Sequence, residues 1–544
     1  MKNLTTQDPQ ISQAIQKEQS RQLEGLELIP SENYVSTAVL KAMGSILTNK
    51  YSEGFVGHRY YAGNTHIDEI ESLAIDRAKS LFQVPFVNVQ PYSGSPANFA
   101  VLNAVLEPGD SFSGLNLTDG GHLTHGWKIS ATAKYFRSYP YHVKKDGYIN
   151  FAELELIAQK HKPKLIWCGA TAYSRIIDFA KFSTIADKVG ALLVADISHI
   201  AGLIVGGVHP SPTPYAHIIT TTTHKTLRGP RGAMIMVTDK GLSKDPKLGQ
   251  KINQSVFPGL QGGPHNHTTA AIAVALREAS QKSFQTYAQQ IIKNAKALEI
   301  AFRQHNIKMV SDGTDNHLLV LDLSEHNALG AQLEKALEIA HITTNKNTIP
   351  YDPSSPYYPS GLRLGTPAIT TRGFKTKDMV QVASWITQVI NHIKKDQLPE
   401  EKSQRAEYMK KLEKKQPLTV KLGIDPTSPD IHLGHTVTLN KLRQFQDLGH
   451  NAVLIIGDYT AMIGDPSGRM SERPQISREI IMENVKSYEQ QAFKILDKSK
   501  LKIVYNGEWF SKLNFEDVIK LISKFTIAQM FEHDYFDKRF KEGV

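Results

Sequence analysis

Residues 220–232, TTTTHKTLRGPRG, decide both the fold and the chemistry that we expect of this chain. The run of β-branched threonines predicts a strand that ends at His224 and Lys225, and the glycines and proline behind it predict tight turns. A lysine amine is a nucleophile only when it is partly deprotonated, and His224, Arg228 and Arg231 would lower the pKa of this one. The pattern indicates a Schiff-base lysine, with a surface lysine in a turn as the alternative.

The composition is that of a globular chain with several cores. Its 544 residues are 40% hydrophobic, which predicts several domain-sized units. The single cysteine, Cys168, excludes an internal disulfide framework, and no apolar run suggests a membrane span or a signal peptide. We therefore expect a cytoplasmic protein. The formal charge of +10 is spread over a long chain and is weak evidence for nucleic-acid binding.

Residues 91–110, PYSGSPANFAVLNAVLEPGD, predict a helix whose N terminus could bind a phosphate. Ser95 is a favourable N-cap, Pro96 suits the first helical position, and the apolar residues that follow have helical spacing. Ser93, Gly94 and Ser95 would then lie where free amides and the helix dipole attract an anion. Ordinary capping explains the serines equally well.

Two further motifs supply groups that suit an aromatic ligand. GGHLTHG at 120–126 contains two histidines without a cysteine or acidic ligand, so we favour a His122 imidazole stacked on a ring over a metal pair. The apolar run LLVAD predicts a strand that ends at Asp196, with His199 close behind. In open α/β sheets, ligands bind beyond the carboxyl ends of strands, where Asp196 and Lys225 would both lie.

These groups together describe a site for pyridoxal phosphate. An acid stabilises the protonated pyridine nitrogen, a lysine forms the aldimine, and a helix terminus holds the phosphate.

Two stretches nearer the N terminus also carry polar residues. Residues 49–64, NKYSEGFVGHRYYAGN, have no periodicity and indicate a binding loop. Its one carboxylate, Glu53, is a candidate proton carrier, with an exposed loop glutamate as the alternative. Ser31 and Glu32 precede an apolar run and could form a capping box.

Residues from about 20 to 395 closely resemble the serine hydroxymethyltransferase family. The resemblance is carried, in one order, by SENYVS, NKYSEG, RYYAG, SGSPAN, GGHLTHG, AYSRIIDF, THKTLRGPRG, QGGP, GTDNHL, NKNTIP and GLRLGTPAITTRG. It implies an α/β, fold-type I pyridoxal-phosphate-dependent transferase with a large α/β domain and a small α+β domain. The implied reaction interconverts serine plus tetrahydrofolate with glycine plus 5,10-methylenetetrahydrofolate.

The resemblance also assigns roles to individual residues. The implied catalytic residues are Lys225, Glu53, His224 and Tyr61. The implied cofactor-binding residues are Lys225, Asp196, His199, His122, Gly94, Ser95, Tyr51, Gly262 and Gly263. The implied substrate-binding residues are Arg363, Ser31, Leu117, Gly121, His122, Leu123, Ser355, Pro356 and Tyr357.

Among these, Arg363 would bind the amino acid carboxylate, for which a guanidinium is the fitting donor. Tyr51, Tyr61 and the glycine pair would reach the site from a partner subunit, so a homodimer or a higher homo-oligomer is implied. The chain departs from the common family pattern at Tyr92, among other positions, without losing a group that the chemistry needs.

The last part of the chain predicts a different fold. Residues 420–477 indicate a strand, an HLGH turn, a helix, an apolar strand and a glycine-rich loop, the start of a nucleotide-binding βαβ unit. The stretch resembles the N-terminal part of tyrosyl-tRNA synthetase, and the resemblance runs to Val544. It implies ATP or tyrosine contacts by Thr427, His432, Gly434, His435 and Asp465.

We find no KMSKS-like loop and no anticodon-binding region in this stretch. We therefore expect a truncated class I synthetase Rossmann-like fragment that is inactive and does not bind tRNA. The predicted divisions are a helical arm (1–25), a large cofactor-binding domain (26–275), a small domain (276–395), a charged helical linker (396–418) and the partial synthetase-like domain (419–544).

Two alternatives remain for the function. One is a bifunctional protein whose tail activates tyrosine or binds tRNA. The other is a pyridoxal-phosphate aldolase that cleaves threonine-like amino acids without folate. Dependence on folate separates that aldolase from the transferase.

Overall fold

The computed structural model describes residues 4–326, 328–355, 357–395, 419–431, 433–447, 449–463 and 477–523. The chain divides into two compact units, residues 1–410 and 411–544. The predicted linker at 396–418 lies outside the described residues, as do Pro356, His432 and Asp465.

The first unit contains helices and short strands in alternation. Its helices are α1 (Leu4–Gln7), α2 (Pro9–Glu24), α3 (Thr37–Met43), α4 (Thr65–Phe82), α5 (Gly94–Val105), α6 (Ala131–Tyr135), α7 (Phe151–His161), α8 (Phe179–Lys188), α9 (Ala201–Val205), α10 (Asp239–Lys244), α11 (Leu248–Gln254), α12 (Asn266–Ala279), α13 (Lys282–Gln304), α14 (Gly330–Ile339), α15 (Pro367–Thr371) and α16 (Thr376–Lys395). Its strands are β1 (Leu26–Glu27), β2 (Gly54–Phe55), β3 (His58–Arg59), β4 (Phe86–Asn88), β5 (Ser111–Ser113), β6 (Arg137–Ser138), β7 (Leu165–Cys168), β8 (Leu192–Asp196), β9 (Ile218–Thr222), β10 (Ala233–Val237), β11 (Lys308–Met309), β12 (Leu318–Asp322), β13 (Ile342–Thr343), β14 (Asn345–Asn347) and β15 (Gly361–Gly365).

A seven-stranded sheet forms the centre of this unit, in the order β4-β10-β9-β8-β7-β5-β6. Strands β5 to β9 run parallel, and β10 is antiparallel to both of its neighbours. The strands β7, β9 and β10 are buried along their whole length, as parallel sheets covered on both faces require. In the register of β8 with β9, Asp196 lies opposite Thr220, so the carboxyl ends of these two strands are adjacent.

A smaller antiparallel sheet, in the order β11-β12-β15-β14, forms a second core. Helix α13 belongs to both cores. Its first half contributes Phe284 and Ile291 to the larger core, and its second half contributes Leu298 and Phe302 to the smaller core. The boundary near residue 275 stays a prediction.

The second unit contains a parallel three-stranded sheet, in the order β16-β17-β18. Its strands are β16 (Thr419–Ile424), β17 (Asn451–Ile456) and β18 (Leu501–Tyr505), and its described helices are α17 (Leu433–Asp447), α18 (Thr460–Ile463), α19 (Arg478–Ala492), α20 (Gly507–Phe510) and α21 (Phe515–Ile522). Helix α17 connects β16 to β17, as the predicted βαβ unit requires. In either unit, the described helices include none that could cross a lipid bilayer.

Ser31 and Glu32 do not form the capping box that the sequence suggested. They lie in and just after a turn, and the next helix begins only at Thr37. Its N-cap is Ser36, whose hydroxyl accepts a hydrogen bond from the Val39 N–H at 3.2 Å. The serine nearest to the helix provides the cap.

Candidate active site

Lys225 lies just beyond the carboxyl end of β9, as the sequence predicted. The strand itself ends at Thr222, two residues earlier than expected, and the side chain of Thr223 already belongs to the following turn, donating to the Pro230 carbonyl at 2.6 Å. Lys225 Nζ folds back and donates to Thr222 Oγ1 at 2.9 Å. The amine is therefore fixed at the end of the sheet.

The environment of Lys225 favours the uncharged amine. Burial, aided by the positive charges of Arg363 and Arg231 and opposed by the negative charge of Asp196, lowers the pKa of Lys225 to about 8. With this pKa, roughly a tenth of the amine is uncharged and nucleophilic at pH 7, and about half at pH 8.

Two of the neighbours expected to lower this pKa, His224 and Arg228, are not among the groups that lower it. Burial lowers the pKa of His224 to about 3, so its ring is neutral and adds no positive charge. The Arg228 guanidinium lies 4.6 Å from the centre of the Tyr287 ring, in a cation–π contact. Arg363, which is distant in sequence, supplies the positive charge that was expected of Arg228.

Asp196 is buried at the end of β8 and fully hydrogen-bonded. Its Oδ2 accepts from Asn98 Nδ2 at 2.9 Å and from His125 Nε2 at 3.1 Å, and its Oδ1 accepts from the Ser198 hydroxyl at 2.6 Å. Burial opposes ionisation, but His125 and Ser198 hold the pKa of Asp196 well below its usual range. The Thr222 N–H donates to Ser198 Oγ at 3.0 Å, so hydrogen bonds connect this carboxylate to the lysine.

The two histidines of GGHLTHG have different surroundings. Burial, with a smaller effect of His125, lowers the pKa of His122 to about 4, and its Nδ1 accepts from the Thr124 N–H at 3.3 Å. His122 is therefore a neutral, half-buried ring. His125 is fully buried, stacks on Trp167 at 5.2 Å, and was given no role from sequence.

The expectation that no acidic group accompanies these histidines is wrong. One ligand atom each of His122, His125 and Asp196 lies within 4.8 Å of the others, so the set could hold a metal ion. However, His125 Nδ1 accepts from the His122 N–H at 3.3 Å, which leaves the hydrogen on Nε2 facing Asp196. Because that nitrogen offers no lone pair, we keep the ring-stacking assignment for His122.

His199 is buried against a second histidine that the sequence reasoning missed. Its Nδ1 is 3.3 Å from His317 Nε2, and the two rings are stacked at 5.5 Å. Burial holds the pKa of His199 well below its usual value and lowers that of His317 to about 3. His199 Nε2 is buried without a hydrogen-bond partner in the part of the chain that the structure describes. His317 belongs to the motif GTDNHL, but no role was assigned to it from the sequence.

The helix whose N terminus was predicted to bind a phosphate is α5, and its cap differs from the predicted one. Ser93, not Ser95, is the N-cap, since its backbone is extended at φ −164° and ψ 177° and the helix begins at Gly94. Pro96 occupies the third helical position, where its missing N–H costs no hydrogen bond. A Cβ added to Gly94 would lie 2.7 Å from Thr222 Cγ2, so glycine lets the helix terminus approach the end of β9.

Arg363 lies in β15 of the smaller sheet and is buried. Its Nε donates to Asn345 Oδ1 at 3.2 Å, and its Nη1 donates to the Thr171 carbonyl at 2.7 Å. Burial lowers the pKa of this guanidinium to about 10. Within the described ranges, burial is the only influence on this pKa, and no carboxylate pairs with the guanidinium.

The SENYVS loop reaches the lysine through a residue that was not predicted. Asn33 Nδ2 donates to the Lys225 carbonyl at 2.9 Å, and Asn33 Oδ1 accepts from the Thr371 hydroxyl at 2.7 Å. Ser31 is half-buried two residues earlier in the same loop.

The residues expected to act from a partner subunit form one cluster. The Tyr51 hydroxyl donates to Glu53 Oε1 at 3.2 Å, and its ring meets Tyr61 edge-on at 5.1 Å. A Cβ added to Gly262 would lie 3.1 Å from Glu53 Oε1, and one added to Gly263 would lie 3.4 Å from the Tyr51 ring. The glycine pair is thus the surface on which this tyrosine and glutamate rest.

The residues assigned to folate lie on two loops of the first unit. The first loop carries Leu117, Gly121 and Leu123, and the second carries Ser355 and Tyr357. Leu123 is 49% exposed and Tyr357 is 78% exposed, so apolar surface is available to a ligand. The Thr348 hydroxyl donates to the Thr118 carbonyl at 2.6 Å, which joins the turn at Leu117 to the smaller sheet.

In the second unit, polar residues follow the ends of all three strands. Asp425 follows β16, Asp458 lies two residues after β17, and Asn506 follows β18. Asp425 Oδ1 accepts from the Thr460 hydroxyl at 2.8 Å, and Asn506 Nδ2 donates to the same hydroxyl at 2.8 Å. These residues were not among the predicted contacts.

The predicted contacts of this unit are described only in part. The Thr427 N–H donates to the Asp425 carbonyl at 2.9 Å in a turn, and Gly434 and His435 lie in the first turn of α17. His432 and Asp465 are outside the described residues.

A family model described as serine hydroxymethyltransferase matches residues 4–386, more than half of the chain. The chain belongs to this family. Serine hydroxymethyltransferases of Acidothermus cellulolyticus, Desulfotalea psychrophila and Sorangium cellulosum are 54%, 53% and 52% identical to it over 393, 392 and 394 residues. Each alignment covers 72% of this chain and 90%, 91% and 92% of those proteins, respectively. The predicted fold-type I class and the pyridoxal-phosphate-dependent transferase class of the serine hydroxymethyltransferase part are thereby confirmed.

A second family model, described as tRNA synthetases class I (W and Y), matches residues 413–544. The chain therefore joins a serine hydroxymethyltransferase to a class I synthetase-like part, as the sequence predicted.

Proposed function

We propose that the first unit interconverts serine and glycine, with tetrahydrofolate as the one-carbon carrier. The observation that supports this most strongly is the pairing of Lys225, with its lowered pKa, and Asp196, which stays ionised, at the ends of adjacent parallel strands. Family membership and the 52–54% identity to serine hydroxymethyltransferases support the same reaction.

The residues present fit pyridoxal phosphate. Lys225 would hold its aldehyde carbon, Asp196 its ring nitrogen, and the amides at the start of α5 its phosphate. A neutral His122 ring suits stacking, and His199 Nε2, which is buried and has no hydrogen-bond partner among the described residues, offers a further polar contact. When bound, pyridoxal phosphate supplies an electron-withdrawing ring that stabilises negative charge at the α-carbon of an amino acid.

The other side chains would bind the substrate and move protons. Arg363, buried and without an acidic partner among the described residues, would orient the amino acid carboxylate, with Ser31 beside it. Glu53 would hold or accept the proton of the substrate hydroxyl, or protonate the folate. His224, with a pKa near 3, would act as a neutral hydrogen-bonding group beside the lysine.

The decisive experiment is Glu53→Gln. We expect the variant to bind pyridoxal phosphate normally and to lose folate-dependent serine turnover by at least ~100-fold, the scale of one positioned acid or base. Glu69→Gln is the matched control, because its side chain is 65% exposed. Near-normal turnover would show that Glu53 is an exposed loop residue without a part in proton transfer. Equal rates of serine cleavage with and without tetrahydrofolate would favour the folate-independent aldolase.

We also propose that the functional form is a cytoplasmic homodimer or higher homo-oligomer. The support is exposed apolar surface around the predicted partner-facing cluster: Ile46 is 83% exposed, Tyr51 54% and Tyr61 48%. Sedimentation of the intact chain measures this, and a monomer with full activity would exclude the proposal.

For the second unit we propose no tyrosine activation and no tRNA binding. The described groups at its strand ends include the carboxylates of Asp425 and Asp458, and anionic groups repel the triphosphate of ATP. Activation also needs positive groups that stabilise the developing phosphate charge. Tyrosine-dependent pyrophosphate exchange by the intact chain, lost on His432→Ala plus His435→Ala, would instead support the bifunctional alternative.

A further inference from the structure

Tyr92 connects the start of α5 to the glycine pair at 262–263. It directly precedes Ser93, the N-cap of α5. Its hydroxyl donates to the Gly263 carbonyl at 2.8 Å, and its backbone N–H donates to Gln261 Oε1 at 3.1 Å. Its ring stacks on His265 with centres 4.1 Å apart and planes only 4° from parallel. Three separate contacts therefore bind Tyr92 to the chain on both sides of the glycine pair.

The glycine pair in turn supports Tyr51 and Glu53. A Cβ on Gly262 would lie 3.1 Å from Glu53 Oε1, close enough to push the carboxylate aside, and one on Gly263 would lie in van der Waals contact with the Tyr51 ring at 3.4 Å. Because Tyr51 also donates to Glu53 Oε1 at 3.2 Å, the carboxylate lies close to this turn both directly, at Gly262, and through Tyr51.

The pKa of Tyr92 is consistent with its role as a hydrogen-bond donor to Gly263. Burial, and after it the negative charge of Glu53, raises the pKa of Tyr92 above that of an ordinary phenol. The hydroxyl is therefore protonated, and remains a donor to Gly263, throughout the working pH range of an enzyme.

We propose that Tyr92 is a positioning residue for the transferase reaction: its hydroxyl holds Gly263, and the turn held in this way sets the position of Tyr51 and Glu53. This inference rests on the proposed role of Glu53 in proton transfer. Tyr92 would then connect two parts of the first unit: the helix start that would bind the cofactor phosphate, and the turn beside the carboxylate that would move a proton.

The test is Tyr92→Phe, which removes the hydroxyl and keeps the ring that stacks on His265. Tyr215→Phe is the matched control, since Tyr215 is 37% exposed and lies on another part of the first unit. We expect Tyr92→Phe to lower kcat for folate-dependent turnover about fivefold, the scale of one neutral hydrogen bond, with KM for serine and Tm unchanged. We also expect faster amide exchange at residues 261–263 in the cofactor-free protein.

A double-mutant cycle separates positioning from general weakening of the fold. If Tyr92 acts through Glu53, adding Tyr92→Phe to Glu53→Gln lowers the rate no further. An additive loss of rate in the double variant, or unchanged exchange at 261–263 in the single variant, overturns the proposal.

The proposed role of Glu53 can fail separately. If Glu53→Gln alone retains full folate-dependent turnover, that role is wrong. The exchange measurement then tests by itself whether the Tyr92 hydroxyl holds Gly263. Faster exchange in Tyr92→Phe supports this contact, and unchanged exchange contradicts it.

Discussion

In both units, polar side chains lie at the ends of parallel strands, but the charges of these side chains differ between the two units. At the ends of β8 and β9, an ionised Asp196 is connected by hydrogen bonds to Lys225, whose amine is partly neutral. At the ends of β16 and β17, the described groups are the carboxylates Asp425 and Asp458. The comparison shows that sheet topology decides where a site lies, while the charges at the strand ends decide what it can bind.

The two sheets also differ in how well they are covered. Strands β9 and β10 are buried at every residue, whereas β16 alternates between exposed and half-buried residues up to its last position. Parallel strands are normally covered on both faces. The first sheet can therefore exclude water from its strand ends more completely than the second.

The largest effect expected is that of Lys225→Ala. Removing the amine at the end of β9 should lower serine turnover by at least about 10⁴-fold, as loss of a covalent group does, and should abolish covalent attachment of the cofactor. Mass spectrometry after borohydride reduction measures the attachment. Lys240→Ala, which breaks a 2.8 Å ion pair with Asp187, is the control and should retain both properties. Attachment that persists in Lys225→Ala would mean that another lysine carries the cofactor.

Asp196→Asn should have the next largest effect. The change keeps the shape of the side chain and removes its charge, so turnover should fall about 10²- to 10³-fold, the scale of one preorganised electrostatic contact. A shifted absorbance of the bound cofactor should accompany the loss. Asp187→Asn is the matched control. A rate within about threefold of the wild type would show that the charge at the end of β8 is not used.

The pH dependence of Lys225 should be the next effect in size. Since burial lowers the pKa of this lysine to about 8, its reaction with an aldehyde in the cofactor-free chain should rise about tenfold per pH unit below 8 and level off above it. An ordinary lysine levels off only near its pKa of about 10.4. Measured rates that keep rising to pH 10 would contradict the prediction.

The sign of the matching stability change follows from the same pKa. In the unfolded chain the lysine binds its proton up to about pH 10.4, so between about pH 8 and that value the unfolded state holds more protons than the folded state. Folding is penalised by this lysine below pH 8, and the penalty decreases as the pH rises through that window.

Removing residues 411–544 should have the smallest effect on catalysis. Hydroxymethyl transfer by residues 1–410 should stay within about twofold of the full chain, because every group assigned to that site lies in the first unit. The shortened chain should also aggregate more slowly, since the partly covered β16–β18 sheet is a surface for association. Lost transfer, or faster light-scattering growth, would contradict this.

The sequence predicted those parts of the site that depend on local pattern. Asp196 and Lys225 were found because an apolar or threonine-rich run ends at each. Asn98 and Asn33 were missed, because their partners at the ends of β8 and β9 are far away in sequence and are brought close only by packing. The choice of Ser95 over the neighbouring serine as N-cap failed because both have the same capping chemistry, and only backbone geometry separates them.

Helix α13 has a consequence for how the first unit melts. One continuous helix supplies Phe284 and Ile291 to the larger core and Leu298 and Phe302 to the smaller core. If either core lost its packing, half of this helix would become exposed while the other half remained packed in the other core. The exposed half would have no support of its own, since isolated helical segments of about this length are marginal in water. The two cores of residues 4–395 thus form a single cooperative unit, and heat should unfold them in one calorimetric transition.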